Sequence, residues 1–297
     1  MTSSKVLFTT VSDDRYKRKD GKYSDTQDKI LKLFLDNPQF GITNFAFWKW
    51  EDILQTSFYK NNKKLLDNPD PALNGRCYKP FVICEGLKQL NDGDFLIYND
   101  VSPEWWENKQ IIPGIHDIEV IKSMCEYNGG ILSASAVWVC NNTHIADHTH
   151  ENFTLEKCMD IMGMQEYKYC LQHASGMIVL QKNKKSVAFA EEWLHWNTIE
   201  ECAGLGSWDH EIKTYGKIGH RHDQSISGLL INKLGNNLVD ARLDPINHPR
   251  NNGDFCFLSF CMKDRTYMFV SSKQSPGEYK YRNTFDGTNW IYLRSLR

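Results

Sequence analysis

Asp100 is placed where a carboxylate could do chemistry. It closes the apolar run Phe95-Leu96-Ile97-Tyr98, which follows the turn Asn91-Asp92-Gly93-Asp94 and a helical stretch opening at Lys79-Pro80. A strand ending this way delivers its carboxylate to the crevice outside the strand ends, where open α/β sheets bind ligands. A hard oxygen donor there suits a divalent cation bridging a diphosphate. Aspartate at a strand end also serves as a turn or helix cap, so the residue has two readings. Asp223, in His220-Arg221-His222-Asp223-Gln224-Ser225, first reads as a helix N-cap ahead of the stripe Ile226, Leu229, Leu230 and Leu234. His220 and His222 alternate about Arg221, which puts both imidazoles on one face of an extended segment, as phosphate donors or as surface residues.

Other groups of reactive residue types are weaker signals. His144, Asp147, His148 and His150 have spacing that would meet on a helix face. Asn141-Asn142-Thr143 before them and Glu151-Asn152 after them read as loop, which favours a loop over a zinc site. Trp105-Trp106 could stack on a sugar or nucleobase, or pack in the core. The basic run Arg15, Lys17 and Arg18 lies in the charged stretch after the first apolar segment. It reads as a solvated loop or as a flap that meets phosphate.

The elements that must position these residues alternate. Val6 to Val11 reads as a buried first strand. Ser24 and Gln27 have capping-box spacing ahead of Ile30, Leu31, Phe34 and Leu35, which predicts a helix over 25–36, stopped by Asn37-Pro38. Gly41 to Trp48 reads as a second strand, Pro80 opens a second helix carrying Phe81, Cys84, Leu87 and Leu90, and Phe95 to Tyr98 is the third strand. Beyond Asp100 the patterns predict a helix over 119–125, strands over 131–139 and 176–180, a helix over 186–196, and a helix from Asp223 that Gly235 ends. This βαβαβ order implies an α/β fold with a mixed, mostly parallel sheet flanked by helices. Segments 253–260 and 266–270 look like a C-terminal β appendage on the same domain, since no Pro/Gly/Ser-rich linker precedes them.

Composition narrows the function classes. The chain has 297 residues with a net charge of -2, which gives no electrostatic footprint for nucleic acid. Hydrophobic residues make up 41% of it, yet no stretch is long enough to span a bilayer. The nine cysteines are scattered without the close pairs of a zinc or redox motif and read as reduced thiols. With no signal-peptide core at the N-terminus, a cytoplasmic location is the expectation.

Three stretches resemble the nucleotide-sugar-dependent glycosyltransferases of the GT-A (Rossmann-like) fold, in particular small galactosyltransferase-like members. Tyr78-Lys79-Pro80 followed by Gly93-Asp94-Phe95-Leu96-Ile97-Tyr98-Asn99-Asp100 resembles the run that leads into the family's Asp-x-Asp motif. Gln172 to Val179, followed by Ser186 to Trp193, is similar to the acceptor-side strand and its helix ending in a Glu-Trp pair. His220 to Ser225 resembles the family's RHDQS segment. The resemblance implies a transferase domain over 1–250, with a nucleotide-sugar half over 1–104, an acceptor half over 105–250, and the β appendage over 251–297.

It implies Asp223 as the catalytic carboxylate beside the sugar. Thr9, Thr10, Arg15, Lys79, Asn99, Asp100, His222, Gln224 and Arg250 would bind the donor, and Gln172 and Trp105 would stand on the acceptor side. Ser102 occupies the place of the second acid in Asp-x-Asp, so a Mn2+ or Mg2+ ion would rest on Asp100 with Glu104 and His248, as a weak site that fills together with the donor. The partners implied are a nucleoside-diphosphate sugar, UDP-linked, and a glycan hydroxyl. Ser102 also motivates a second expectation, an inactive nucleotide- or carbohydrate-binding module. A third is a protein-interaction scaffold using the aromatic C-terminal part.

Overall fold

A computed structural model describes residues 4–15, 21–67, 76–101, 118–135, 149–203, 219–240, 267–271, 281–285 and 290–291. In chain order the elements are β1 (Val6–Ser12), α1 (Tyr23–Asp36), β2 (Asn44–Lys49), α2 (Trp50–Leu54), α3 (Ser57–Asn61), α4 (Lys63–Leu66), α5 (Tyr78–Lys88), β3 (Phe95–Asn99), α6 (Glu119–Tyr127) and β4 (Ile131–Ser135). They continue with α7 (His150–Phe153), α8 (Glu156–Met162), β5 (His173–Gln181), α9 (Lys184–Asn197), α10 (Glu200–Ala203), α11 (Asp223–Leu234), β6 (Asn237–Asp240), β7 (Tyr267–Ser271), β8 (Tyr281–Phe285) and β9 (Trp290–Ile291). The strands form one mixed sheet in the order β2-β1-β3-β5-β4-β6-β7-β8-β9.

The parallel character expected from βαβαβ holds at β2-β1-β3 and at β4-β6. β5 lies between β3 and β4 and runs antiparallel to both. β7 to β9 continue the sheet antiparallel from β6, so the C-terminal β segment extends the same sheet. The segment over 253–260 lies outside the described residues.

The sheet separates two apolar layers, as strand alternation requires. Leu7, Leu96, Tyr98, Ile178 and Leu180 pack with α5, α9 and α11 on one face. Val6, Phe8, Phe95, Ile97, Met177 and Val179 pack with α1 and α6 on the other. α5 is buried almost all round, at Phe81, Val82, Ile83, Cys84 and Leu87, which marks it as an inner element rather than a surface helix. At the strand ends away from the site, Asp94 accepts hydrogen bonds from the amides of Lys5 and Asn91, and the Gly93 amide donates to the Lys182 carbonyl, tying β1, β3 and β5 together.

Two local expectations are corrected. Ser24 and Gln27 do not form a capping box. Lys22 caps α1 without a side-chain bond, Ser24 binds the Asp14 carboxylate, and Gln27 donates to the Trp48 carbonyl at 3.0 Å. The strand expected from Gly176 begins at His173, because the polar residues ahead of Gly176 find partners on α11 rather than solvent.

Candidate functional site

Three segments meet beyond the carboxyl end of β3. Lys79 sits in the first turn of α5, where Pro80 is tolerated because first-turn amides have no intrahelical partner. Its side chain is 1% exposed, and its ammonium lies 2.8 Å from Asp223 Oδ2 and 3.1 Å from Asp100 Oδ1. Asp100 Oδ2 is at 3.3 Å, Ser175 Oγ at 3.2 Å and the Ser175 carbonyl at 3.3 Å. Five oxygen atoms thus surround one nitrogen. A cation at a helix N-terminus opposes the helix dipole, and the two carboxylates offset that cost.

Asp223 is the first residue of α11, where the dipole favours an anion. Its side chain is 2% exposed and accepts a 2.8 Å hydrogen bond from Ser175 Oγ. Burial pushes its carboxyl up, but the charges of Lys79 and Arg76 and the hydrogen bonds from Lys79 and Ser175 outweigh this and hold it below the ordinary carboxylate value. Asp100, at the end of β3, is the open member, with its side chain 17% exposed. The Tyr98 hydroxyl donates to its Oδ1 at 2.7 Å, and its own amide donates to the Gly176 carbonyl at 2.7 Å. Burial, then the Asp100 charge, raises the Tyr98 phenol well above its usual value, so it stays a donor.

A bulge re-aims Ser175. Between Ser133 and Ala134 of β4 the partner on β5 jumps from Ile178 to Ala174. Met177 and Val179 face the α1 layer, yet His173 and Ser175, of the same parity, reach α11, where His173 Nε2 meets Ser227 Oγ at 2.6 Å. A bulge changes which face the following side chains use, and here it turns a hydroxyl towards the carboxylates.

A second polar layer lies behind Asp223. Gln172 donates to the Phe153 carbonyl, Thr154 Oγ1 and Ser225 Oγ at 3.1, 3.2 and 3.1 Å, and Gln224 donates to Gln172 Oε1 at 2.7 Å. Trp193 Nε1 donates to the Asp223 carbonyl at 3.0 Å. His222 adopts φ 49° and ψ -116°, a glycine-favoured conformation, while its Nδ1 donates to the Ala203 carbonyl at 2.7 Å. His220 Nε2 donates to the Cys202 carbonyl at 2.9 Å, and its Nδ1 accepts the Leu155 amide at 3.1 Å. Burial, with the neighbouring His222, holds His220 well below the usual histidine value. His150 is equally internal, bonded to Thr154 and Asn232, and burial lowers both His150 and His173 to about 3.

The sequence-predicted residues therefore divide. Lys79, Asp100 and Asp223 converge, with Asn99 alongside, its amide donating to the Asp100 carbonyl at 2.7 Å. Gln172 and His222 are buried in the layer just described, and the half-buried Gln224 bonds to it. Thr9 is buried and donates to the Ala46 carbonyl, and the Thr10 hydroxyl is buried with no hydrogen-bond partner among the described residues. Arg15 makes its own cluster instead, paired with Asp13 at 2.7 Å, donating to the Leu66 carbonyl and stacked 3.2 Å over the Trp50 ring. Trp105, Glu104, His248 and Arg250, together with Ser102, His144, Asp147 and His148, lie outside the described residues.

Sequence reasoning gave no role to Tyr98, Ser175 or Arg76. Tyr98 carried a signal, since positions two apart on a strand share a face and Tyr98 is two before Asp100. Arg76, just ahead of α5, has φ 51°. Burial opposes its charge, but the field of Asp223, then of Tyr78 and Asp100, raises its pKa further.

Of the three ligands that the resemblance implies for a metal, Asp100 is the one among the described residues. Among the described residues no group of three or more His, Cys, Asp and Glu could hold an ion. Asp100 and Asp223 already share the ammonium of Lys79, so these described carboxylates do not form a divalent-metal set. A separate groove of about 530 Å³ runs between α3, α5 and α9 over Phe58, Phe81 and Leu194, and none of the converging residues lines it. Among the described residues, no helix is long and apolar enough to cross a membrane. Compared with protein-family models, curated proteins and solved structures, the chain matches none. What the fold defines is an α/β protein with a helix-flanked mixed sheet and a buried Lys-Asp-Asp cluster at a strand end.

Proposed function

We propose that the chain is a glycosyltransferase that moves a hexose from a nucleoside-diphosphate sugar, UDP-linked, to a glycan hydroxyl. The observation that carries this reading is the meeting of Lys79, Asp100 and Asp223, from three distant segments, at the carboxyl end of β3 where the sheet reverses direction into β5. Crevices at such positions in α/β sheets take nucleotides. In the reaction, the bond from the anomeric carbon to the diphosphate oxygen breaks and a bond to the acceptor oxygen forms. The acceptor proton is released, and the nucleoside diphosphate leaves with the electron pair.

Asp100, the open carboxylate, accepts hydrogen bonds from hydroxyls of the donor sugar and balances the cation-like carbon, the role that the resemblance gives to the buried Asp223. Asp223 anchors the ammonium that fixes Asp100, and meets the acceptor proton only if Lys79 or Ser175 gives way. Arg76 and the N-terminus of α5 supply positive potential for the departing oxygen. Thermal unfolding with UDP, GDP and CDP tests the reading first, because a ligand at about a hundred times its Kd adds roughly 2.7 kcal/mol of stability. Stabilisation by one nucleotide, followed by donor hydrolysis that Asp100→Asn abolishes in a folded protein, is the expected result. No shift with any nucleotide would remove this function.

The burial of Asp223 favours a second reading, a binding module of the same fold without turnover. It predicts saturable UDP binding and no product with Mn2+, Mg2+ or chelator. Product formed by wild type and lost in Asp100→Asn would dismiss it.

A further inference from the structure

We infer that Lys79 is the resident cation of this site and that nucleotide binds there without a divalent metal. The inference rests on the donor-binding reading above and departs from the metal that the resemblance implies. The ammonium occupies an all-oxygen shell made by Asp223 Oδ2, both oxygens of Asp100, and the hydroxyl and carbonyl of Ser175, at 2.8 to 3.3 Å. That is the donor type a hard divalent ion requires, filled by a cation covalently attached to α5.

Charge gives the same answer. Two aspartates face Lys79, with Arg76 in their field, so among the described residues the cluster holds no excess negative charge to draw an ion from solution. A metal on the open edge of Asp100 would also stand beside the ammonium bound to the same carboxylate. Burial makes that repulsion stronger than it would be in water. An ammonium tethered to the first turn of an inner helix costs no recruitment from solution and cannot be removed by a chelator.

Lys79 is thus a positioning residue, acting through Asp100 and Asp223 rather than by touching the donor. Its removal converts the cage into a metal site. In Lys79→Met two carboxylates and the Ser175 oxygens are left around an empty position, which Mn2+ can enter. Lys79→Arg retains a cation.

The test uses the full chain with UDP as probe, by calorimetry in EDTA and in Mn2+, and Mn2+ alone by its electron paramagnetic resonance signal. Wild type is expected to bind UDP with Kd values within threefold in the two buffers, and to bind no Mn2+ below millimolar concentration. Lys79→Met is expected to bind Mn2+ alone and to need it for UDP by at least tenfold, a gain that a purely structural role would not produce. Lys79→Arg should stay metal-independent.

Wild-type binding at least tenfold tighter in Mn2+ than in EDTA overturns the inference while leaving the transferase reading intact. Absence of nucleotide binding in both buffers removes the transferase reading and, with it, the nucleotide half of the inference. If Lys79→Met does not fold, the wild-type comparison between EDTA and Mn2+ decides alone.

Discussion

Replacing Asp223 with asparagine removes one charge from the cluster while keeping its shape. The carboxylate is buried, 2.8 Å from the Lys79 ammonium and 2.8 Å from Ser175 Oγ. Breaking a buried ion pair by removing one partner costs about 3–5 kcal/mol, and because Asp100 still faces Lys79 the lower end, about 3 kcal/mol, is expected at pH 7. Asp100→Asn should cost about 1.5 kcal/mol, the low end for a hydrogen bond to a charged group, since water reaches its open edge.

The pH dependence fixes the cause. The folded-state pKa of Asp223 is depressed, so its contribution is fully present above the unfolded value of about 3.9 and is lost as pH falls through the folded pKa. The gap between wild type and Asp223→Asn should therefore be constant from pH 7 to 5, narrow below about pH 4, and close at lower pH. Urea unfolding followed by tryptophan fluorescence measures it, with m-values confirming that the transition is unchanged. The double variant Lys79→Met/Asp223→Asn should be more stable than Lys79→Met alone, because it buries one unpaired carboxylate fewer. A cost below about 1 kcal/mol at pH 7, or a gap that persists unchanged to pH 3, would refute the ion pair as the source.

Three other outcomes can be checked by unfolding or spectroscopy. His222→Gly should be about 1 kcal/mol more stable than His222→Ala, because both lose the bond to Ala203 but only glycine is at ease at φ 49°; equal stabilities would remove the strain. Gly228→Ala should destabilise by about 1–3 kcal/mol, since the added Cβ would stand 2.8 Å from His150 Cε1 and 3.1 Å from its Nε2, and a neutral substitution would mean that α11 and α7 pack less closely. His150 and His173 should stay neutral in ring-nitrogen NMR down to about pH 4. Because the unfolded chain protonates them near pH 6.5 and the folded one does not, stability should fall below that pH by about 1.4 kcal/mol per pH unit for each ring, down to about pH 3. Titration of either ring near pH 6.5 would contradict its burial.

The elements were legible where one face of a segment is apolar. Helix α1, β3 and α11 follow directly from their stripes, and Gly235 ends α11 in a left-handed turn as its position implies. The start of β5 was not legible, because His173 and Ser175 look like loop until Ser133, Ser227 and Asp223 are known to satisfy them. Nor was its direction, since a buried apolar run carries no mark of parallel or antiparallel pairing. Ser24 and Gln27 matched a capping pattern, but Asp14 and the Trp48 carbonyl offered them stronger tertiary partners. At the site, the apolar run before Asp100 marked a strand's exit, and Pro80 marked the helix that carries Lys79. That Lys79 would join Asp100 to Asp223 depends on how α5, over β1 and β3, and α11, over β5, are set on one face of the sheet, which no local pattern encodes.

The oxygen cage around Lys79 also orders events during synthesis. Its members stand at positions 79, 100, 175 and 223, and Asp223 comes from the last long helix among the described residues. A chain still emerging has the ammonium and Asp100, then Ser175, and gains the second carboxylate only when α11 arrives. Loop closure over such separations is slow and must precede any gain from the contact. The cluster is therefore a latch fastened at the end, one that no fragment stopping short of Asp223 can close.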